Sequence, residues 1–384
     1  MEANDGVVSV TELAIAYTEE QELLAQSATE LLAKRADIGA VRRWLTTDSG
    51  CDLTLYRELA SLGWLGLAVP AEYGGSEMPV GALVSVVEPM GRQLFASPFL
   101  ASTLAGQALV LAGSAGQKQL WLPKLVSGEA IGTVALTEPN GSYEIEHVSA
   151  TAVRSAVGLV LSGIKTFVLD GHQADFVIAA VRLDGQLALV MVPRALLTPT
   201  QVRRETLIDE TRRSVRVVLD GITVPNDAVL DGGDAGRTLE HLQRTAWLLT
   251  AADMAGGAEG VMQLTLDYLR TRKQFGRPIG GYQSLKHPMV DIMCAIEEGR
   301  SLLYHAATAF DGDATQSERA LRMAKAQLGD TYAYAADRAI QFHGAIGFTY
   351  ECHAQLYFRR AQFNQYAFGD ALHHRRHLQR LLLG

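Results

Sequence analysis

Asp370, His373, His374 and His377 fall within eight residues of one another near the C-terminus, in GDALHHRRHLQ. A carboxylate beside imidazoles offers two chemistries, a metal site or an acid–base centre. His373 and His377 have the i, i+4 spacing that puts two ligands on one helix face. No second acid or cysteine follows at useful spacing, so the segment is expected to bind no metal and its histidines to form a polar helix face. Asp370 keeps two roles open. It is a candidate base for proton abstraction, or it caps the last helix by accepting a hydrogen bond from a free backbone N–H.

The bulk composition narrows the setting. The chain has 384 residues, 48% hydrophobic and 20% charged, with a net charge of −8. That length suggests two or three domains. The negative charge argues against a nucleic-acid binder, although short basic runs occur in RTRKQFGR and HHRRHLQR. Cys51, Cys294 and Cys352 show no CxxC spacing, which argues for a reducing compartment and against a disulfide framework. The start, MEANDGVVSVTELAIAY, has no basic n-region and does not read as a secretory signal. No apolar run reaches eighteen residues, so no membrane span is expected and the cytoplasm is the expected location.

Three textures must position any site. Residues 9–128 carry apolar residues at helical spacing, punctuated by Gly and Pro. From about 130 to 230 the chain turns to short β-branched runs such as LVLSGIKTFVLDG and ADFVIAAVRLDGQLALVMVP, broken every eight to twelve residues. From Asp234 onward long helices return. The first, through YLRTRKQFG, is long enough for ten turns, and a later one opens with a capping box from Thr315 to Glu318. The expected fold class is α+β: an N-terminal helical domain (1–129), a small middle β-barrel or sandwich (130–232) and a C-terminal four-helix bundle (233–384).

Five motifs, in order along nearly the whole chain, give this sequence a family resemblance. They are PAEYGG (70–75), ALTEP (135–139), LSGIKTFVLDGHQADF (161–176), YLRTRKQFGRPIGGYQSLKH (268–287) and QFHGAIGFTYECHAQLYFRRA (341–361). Together they resemble the acyl-CoA dehydrogenases. The resemblance implies FAD, an α–β–α subunit, assembly as a dimer or dimer of dimers (a homotetramer or a heterotetramer with a second chain of the family), an acyl-CoA substrate and an electron-transfer flavoprotein or similar acceptor. It implies removal of an α-proton by a carboxylate and loss of the β-hydrogen as hydride, yielding a trans-2-enoyl-CoA. By motif, Thr137 approaches the flavin ring and Phe167 takes the place of the aromatic stacked near it. Arg272 meets the pyrophosphate of a neighbouring subunit's FAD, where a bidentate guanidinium suits phosphate oxygens. Phe275, Gln283, Gln341 and Gly344 line the same cofactor.

The chain departs from the pattern where the family keeps its catalytic glutamate. The tyrosine–glutamate–glycine turn falls on YAFGDA and leaves Phe368 at the acidic position. The alternative position, early in the first bundle helix, falls on Ala246. Asp370, Asp253 and Glu240 are the carboxylates nearby, and Asp370 is the candidate base. Other departures are Val168 and Leu169 after the aromatic, and NGSYEIE in place of glycines and a Ser–Asp pair. Three functions follow. The chain is an active dehydrogenase with an unusual base; or it is the silent partner in a heterotetramer with a second acyl-CoA dehydrogenase chain, a type that takes bulky or steroid acyl-CoA; or it uses the fold for another flavin reaction or for binding.

Overall fold

Local capping chemistry marks out the first helices. A computed structural model describes residues 17–383; the residues 1–16 that were read as carrying no secretory signal, and the helical reading of 9–16, lie outside that range. Thr18 and Gln21 form a capping box that starts α1 (Glu19–Arg35), while Asp37 and Asp52 cap α2 (Ile38–Leu45) and α3 (Leu53–Ser61). α4 (Val84–Arg92) and α5 (Phe99–Ala112) are buried over most of their length, and α6 (Ala115–Val126) opens on a second capping box, Ser114 with Gln117.

The β-branched runs fold into two sheets. β1 (Gly132–Ala135), β2 (Thr151–Ser155), β3 (Gly158–Ser162), β4 (Ile164–Leu169), β5 (Phe176–Leu183), β6 (Gln186–Pro193), β7 (Val202–Glu205), β8 (Ser214–Val218) and β9 (Thr223–Val224) follow in order. The larger sheet runs β1-β5-β2-β3-β9 with β6 on β5, and the smaller runs β4-β8-β7. β5 is apolar and buried on both faces, which alternation explains. Val177, Ala179 and Val181 face Val168, Val215 and Val217 of the smaller sheet. Phe176, Ile178 and Ala180 face Leu104, Ala108 and Leu122 of the helices in front, together with Leu242 behind them. β5 is therefore held between the smaller sheet and the helices.

Asp234 caps α7 (Ala235–Thr271), a single helix of 37 residues, about 55 Å at 1.5 Å per residue. A short hairpin of β10 (Lys273–Gln274) and β11 (Arg277–Pro278) leads to α8 (Gln283–Ala309), α9 (Ala314–His343), α10 (Ala354–Tyr366) and α11 (Ala371–Leu383). α9 does not use the Thr315–Glu318 box. Its cap is Asp313, which accepts from the Gln316 N–H at 2.9 Å, so the helix begins before Thr315. Glu318 is drawn instead to Arg322, one turn on, at 2.7 Å. Among the described residues, no helix is long and apolar enough to cross a membrane.

α4 crosses α7 with almost no side chain between them. A Cβ on Gly256 would sit 1.8 Å from the Glu88 carbonyl oxygen, and one on Gly91 would sit 2.1 Å from that of Asp253. Neither backbone can yield without moving a helix. Gly256→Ala is therefore expected to destabilise the protein by ~1–3 kcal/mol or more through overpacking, against the ordinary gain from Gly to Ala in a helix. Urea denaturation of the variant, with unchanged stability as the contrary outcome, checks it.

Candidate active site

The turn between α10 and α11 is the centre of the site. Phe368 and Gly369 both adopt positive φ, 59° and 102°, a strained conformation for phenylalanine that its surroundings must impose. The indole N–H of Trp247 on α7 donates to the Phe368 carbonyl at 2.9 Å. The Lys325 ammonium on α9 donates to the carbonyls of Asn364 (3.1 Å) and Gly369 (3.0 Å). The Tyr143 hydroxyl, from the loop after β1, donates to the Tyr366 carbonyl at 3.1 Å. Asp370 accepts from the His373 N–H at 2.7 Å and so caps α11.

Phe368 stands between three cavities. The largest, about 240 Å³, is lined by Thr137, Tyr143, Phe167, Leu169, Phe363 and Tyr366 among others. The second, about 30 Å³, lies behind Phe368 towards Phe95, Arg212, Thr250, Asp253 and Asn364. The third, about 40 Å³, lies between Tyr143, Glu144, Gln243 and Trp247. The two small ones have room for a water or two. Asp370 lines none of the three.

The largest cavity is built to face a flat ring. β4 carries a bulge between Lys165 and Val168, and Phe167 at φ 52° is turned out of the sheet and half-exposed. Its N–H is held by the Glu205 carboxylate at 2.9 Å. The Thr137 carbonyl accepts from the Thr166 N–H at 2.9 Å, which ties the loop after β1 to β4. A buried ion pair next to it, Glu138 with Lys165 at 2.7 Å, fixes the same junction. The Thr166 hydroxyl is buried with no protein partner, an unmet polar group of the kind a bound cofactor satisfies. Leu169 makes this part of the wall apolar.

The other motif residues are not in this cavity. Arg272 ends α7, Phe275 projects from the β10–β11 turn at 91% exposure, and exposed Gln283 opens α8. Gln341 lies in the last turn of α9, and Gly344, at φ 69°, ends it. The ends of α7 and α9 are joined by Tyr268 stacked on His343, with centroids 4.3 Å apart. These five residues thus share one end of the bundle. Trp247, beside the Thr137 cavity, and Arg272 are twenty-five residues apart along α7, about 38 Å at 1.5 Å per residue. Thr137 and Phe167 form one group and Arg272, Phe275, Gln283, Gln341 and Gly344 another, too far apart in one chain for a single dinucleotide.

Neither expected acidic position holds an acid. Ala246 is fully buried and Phe368 fills the other. Glu240 is exposed on α7. Asp253 lines the second cavity, but its carboxylate is engaged by Arg360 (3.0 Å), Arg212 (3.1 Å) and the Asn364 amide. Burial alone would raise its pKa; those two guanidinium groups and the amide hold it below the usual range. Arg360 is itself fully buried and also binds Asp209 and the Thr211 hydroxyl. Glu144 lines the third cavity, and His377 engages it at 2.9 Å. Sequence reasoning missed this carboxylate, the Arg360 network and Lys325. The only signal for Glu144 was that its loop, NGSYEIE, replaces the usual glycines.

A helical front layer, a β sandwich and a helical bundle meet at the cavity of about 240 Å³ lined by Thr137 and Phe167. The model of the acyl-CoA dehydrogenase N-terminal domain matches residues 18–129, and that of the C-terminal domain matches residues 238–383. The acyl-CoA dehydrogenase IpdE2 of Mycobacterium tuberculosis is 32% identical over 348 residues, covering 89% of this chain and 91% of that protein. Two solved structures superpose over almost the whole chain. One is the ChsE4–ChsE5 complex from Mycobacterium tuberculosis (TM-score 0.86, 25% identity, covering 96% of this chain and 98% of that one). The other is a variant of the Tcur3481–Tcur3483 steroid ACAD (TM-score 0.84, 28% identity, covering 95% and 98%). The chain belongs to the acyl-CoA dehydrogenase family.

Two expectations follow from the buried charges. Arg360→Met leaves Asp209 and Asp253 without their main counter-charge, so a loss of ~3–5 kcal/mol is expected in urea denaturation; a change within 1 kcal/mol would show that the network carries little weight. Burial pushes the Lys325 ammonium down to about 7, with Asp370 opposing, against ~10.5 for an exposed lysine. Between those values the unfolded chain binds more protons than the folded one, so stability rises with pH. Wild type is expected to gain up to ~1.4 kcal/mol per pH unit between pH 7 and 9, and Lys325→Met to lose that slope.

Proposed function

We propose that this chain is the base-lacking subunit of a two-chain acyl-CoA dehydrogenase. It supports FAD and completes the assembly, while a second chain of the family supplies the carboxylate. One observation carries the proposal: of the carboxylates that line the cavities around Phe368, Asp253 is tied up in ion pairs and Glu144 is hydrogen-bonded to His377, and the spaces they line hold only about 30 and 40 Å³. A thioester chain does not fit there, and a base must come within ~3 Å of its proton. Asp370 acts in this reading as the cap of α11 and not as the base.

Bound FAD supplies the two-electron acceptor for α,β-dehydrogenation of an acyl-CoA to a trans-2-enoyl-CoA. Thr137 and Phe167 hold one face of the ring slot. Phe368, Tyr143 and Trp247 fill the volume beside it and exclude water. Arg272, Phe275, Gln283, Gln341 and Gly344, at the far end of α7, serve the FAD of a neighbouring subunit, which makes the assembly a heterotetramer in this reading. The two-chain ChsE4–ChsE5 complex and the steroid ACAD support both the pairing and a bulky or steroid acyl-CoA as substrate class. An electron-transfer flavoprotein or similar carrier is the proposed acceptor.

Anaerobic titration with a panel of acyl-CoA thioesters tests this. The chain purified alone is expected to be colourless or to leave its flavin band unbleached with every thioester. Co-purified with a family member that has glutamate at either position, it is expected to bleach, and Glu→Gln in that partner to abolish bleaching. Asp370→Asn, which keeps a capping oxygen, is expected to change neither result. Bleaching by this chain alone, lost in Asp370→Asn, overturns the proposal.

A further inference from the structure

His373 and His377 stand one turn apart at the start of α11, and the fold brings to them the acid that their own segment lacks. Glu144 comes from the loop between β1 and β2, 233 residues from His377 in sequence. Its Oε1 lies 2.9 Å from His377 Nε2 and 4.0 Å from His373 Nδ1. One ligand atom from each of the three residues falls within 4.8 Å of the others. A tetrahedral ion with bonds of 2.0–2.1 Å keeps its ligands ~3.4 Å apart. The His377–Glu144 separation is already shorter than that, and the His373–Glu144 separation exceeds it by only ~0.6 Å.

We propose that Glu144, His373 and His377 form a binding site for a divalent transition-metal ion of the zinc type. Two imidazoles and one carboxylate suit zinc, cobalt, nickel or copper, and are too nitrogen-rich for magnesium or calcium. Three protein ligands leave a fourth position for water or for a group from another chain. All three side chains are partly exposed, so an ion has a path in. The surroundings hold the ligands in place, which metal sites require. The Glu144 N–H donates to the Ser142 hydroxyl (3.1 Å), and the neighbouring Tyr143 is pinned to the Tyr366 carbonyl (3.1 Å). Asp370 fixes the His373 backbone as the cap of α11. The nearest competing cation, Arg322, is occupied by Glu318 (2.7 Å) and lies over the Trp247 ring (4.2 Å). His374 takes no part: its ring is buried against Trp247 and turned towards Arg322.

An ion there joins the loop before β2 to α11 beside Phe368, and so holds the third cavity in its narrow form. The inference does not depend on which chain supplies the catalytic base. The test is calorimetric titration of Zn²⁺ into the untagged full-length chain after treatment with a chelator. A saturable event of one ion per chain is expected, with Kd below ~10 µM and at least ~10-fold weaker in both Glu144→Gln and His377→Ala. His287→Ala, an exposed histidine on α8 outside the cluster, is expected to leave it unchanged. Thermal melts of the metal-free variants establish that each is folded. No saturable binding below ~100 µM, or binding of equal strength in the Glu144→Gln/His377→Ala double variant, overturns the proposal.

Discussion

Arg360 is the constraint on which the arrangement of this molecule rests. Its guanidinium is fully buried and joins α10 to α7 through Asp253, and to the loop before β8 through Asp209 and Thr211. It also donates to the Leu94 carbonyl, just past α4 (3.2 Å). One side chain thus ties the front helices, the sandwich and the bundle to a common point. A buried charge without partners is very costly, so each of these elements can sit only where it satisfies that fork. The network also decides the fate of Asp253. An acid two turns from the position where the family places a base is committed to structure, and its proton affinity is held low by the same groups that anchor it.

The turn after α10 inherits its shape from this framework. Asn364 reaches Asp253 from one side and accepts from Lys325 on the other. Lys325 and Trp247 then hold the next carbonyls, and a phenylalanine is kept in a left-handed conformation that it would not adopt alone. Where relatives place an acid, this chain packs an aromatic ring against Tyr143 and seals the space.

Much of the architecture was legible in the sequence, because it is written in periodicity. The long apolar repeat from Asp234 became a single 37-residue helix, and the β-branched runs became the sandwich. Thr137 and Phe167 were found by motif, and they do share a cavity. The cap of α9 was misplaced because Thr315–Glu318 satisfies the pattern while Asp313, two residues earlier, is the acceptor in place and Arg322 claims Glu318. The partners of Lys325, Arg360 and His377 were invisible for a different reason. Each depends on two residues far apart in the chain, and a buried lysine or arginine reads in sequence as an ordinary surface charge. The histidines near the C-terminus looked short of an acid only because Glu144 arrives from the loop between β1 and β2, far away in the chain.

The single span of α7 separates two sets of expected cofactor contacts by about 38 Å. If each set belongs to a different flavin, no isolated subunit has a whole cofactor site. Flavin retention then becomes a property of concentration, as association is. Dilution that parts the subunits would release the dinucleotide with no bond in either chain broken, and a colourless preparation would report disassembly before it reported damage.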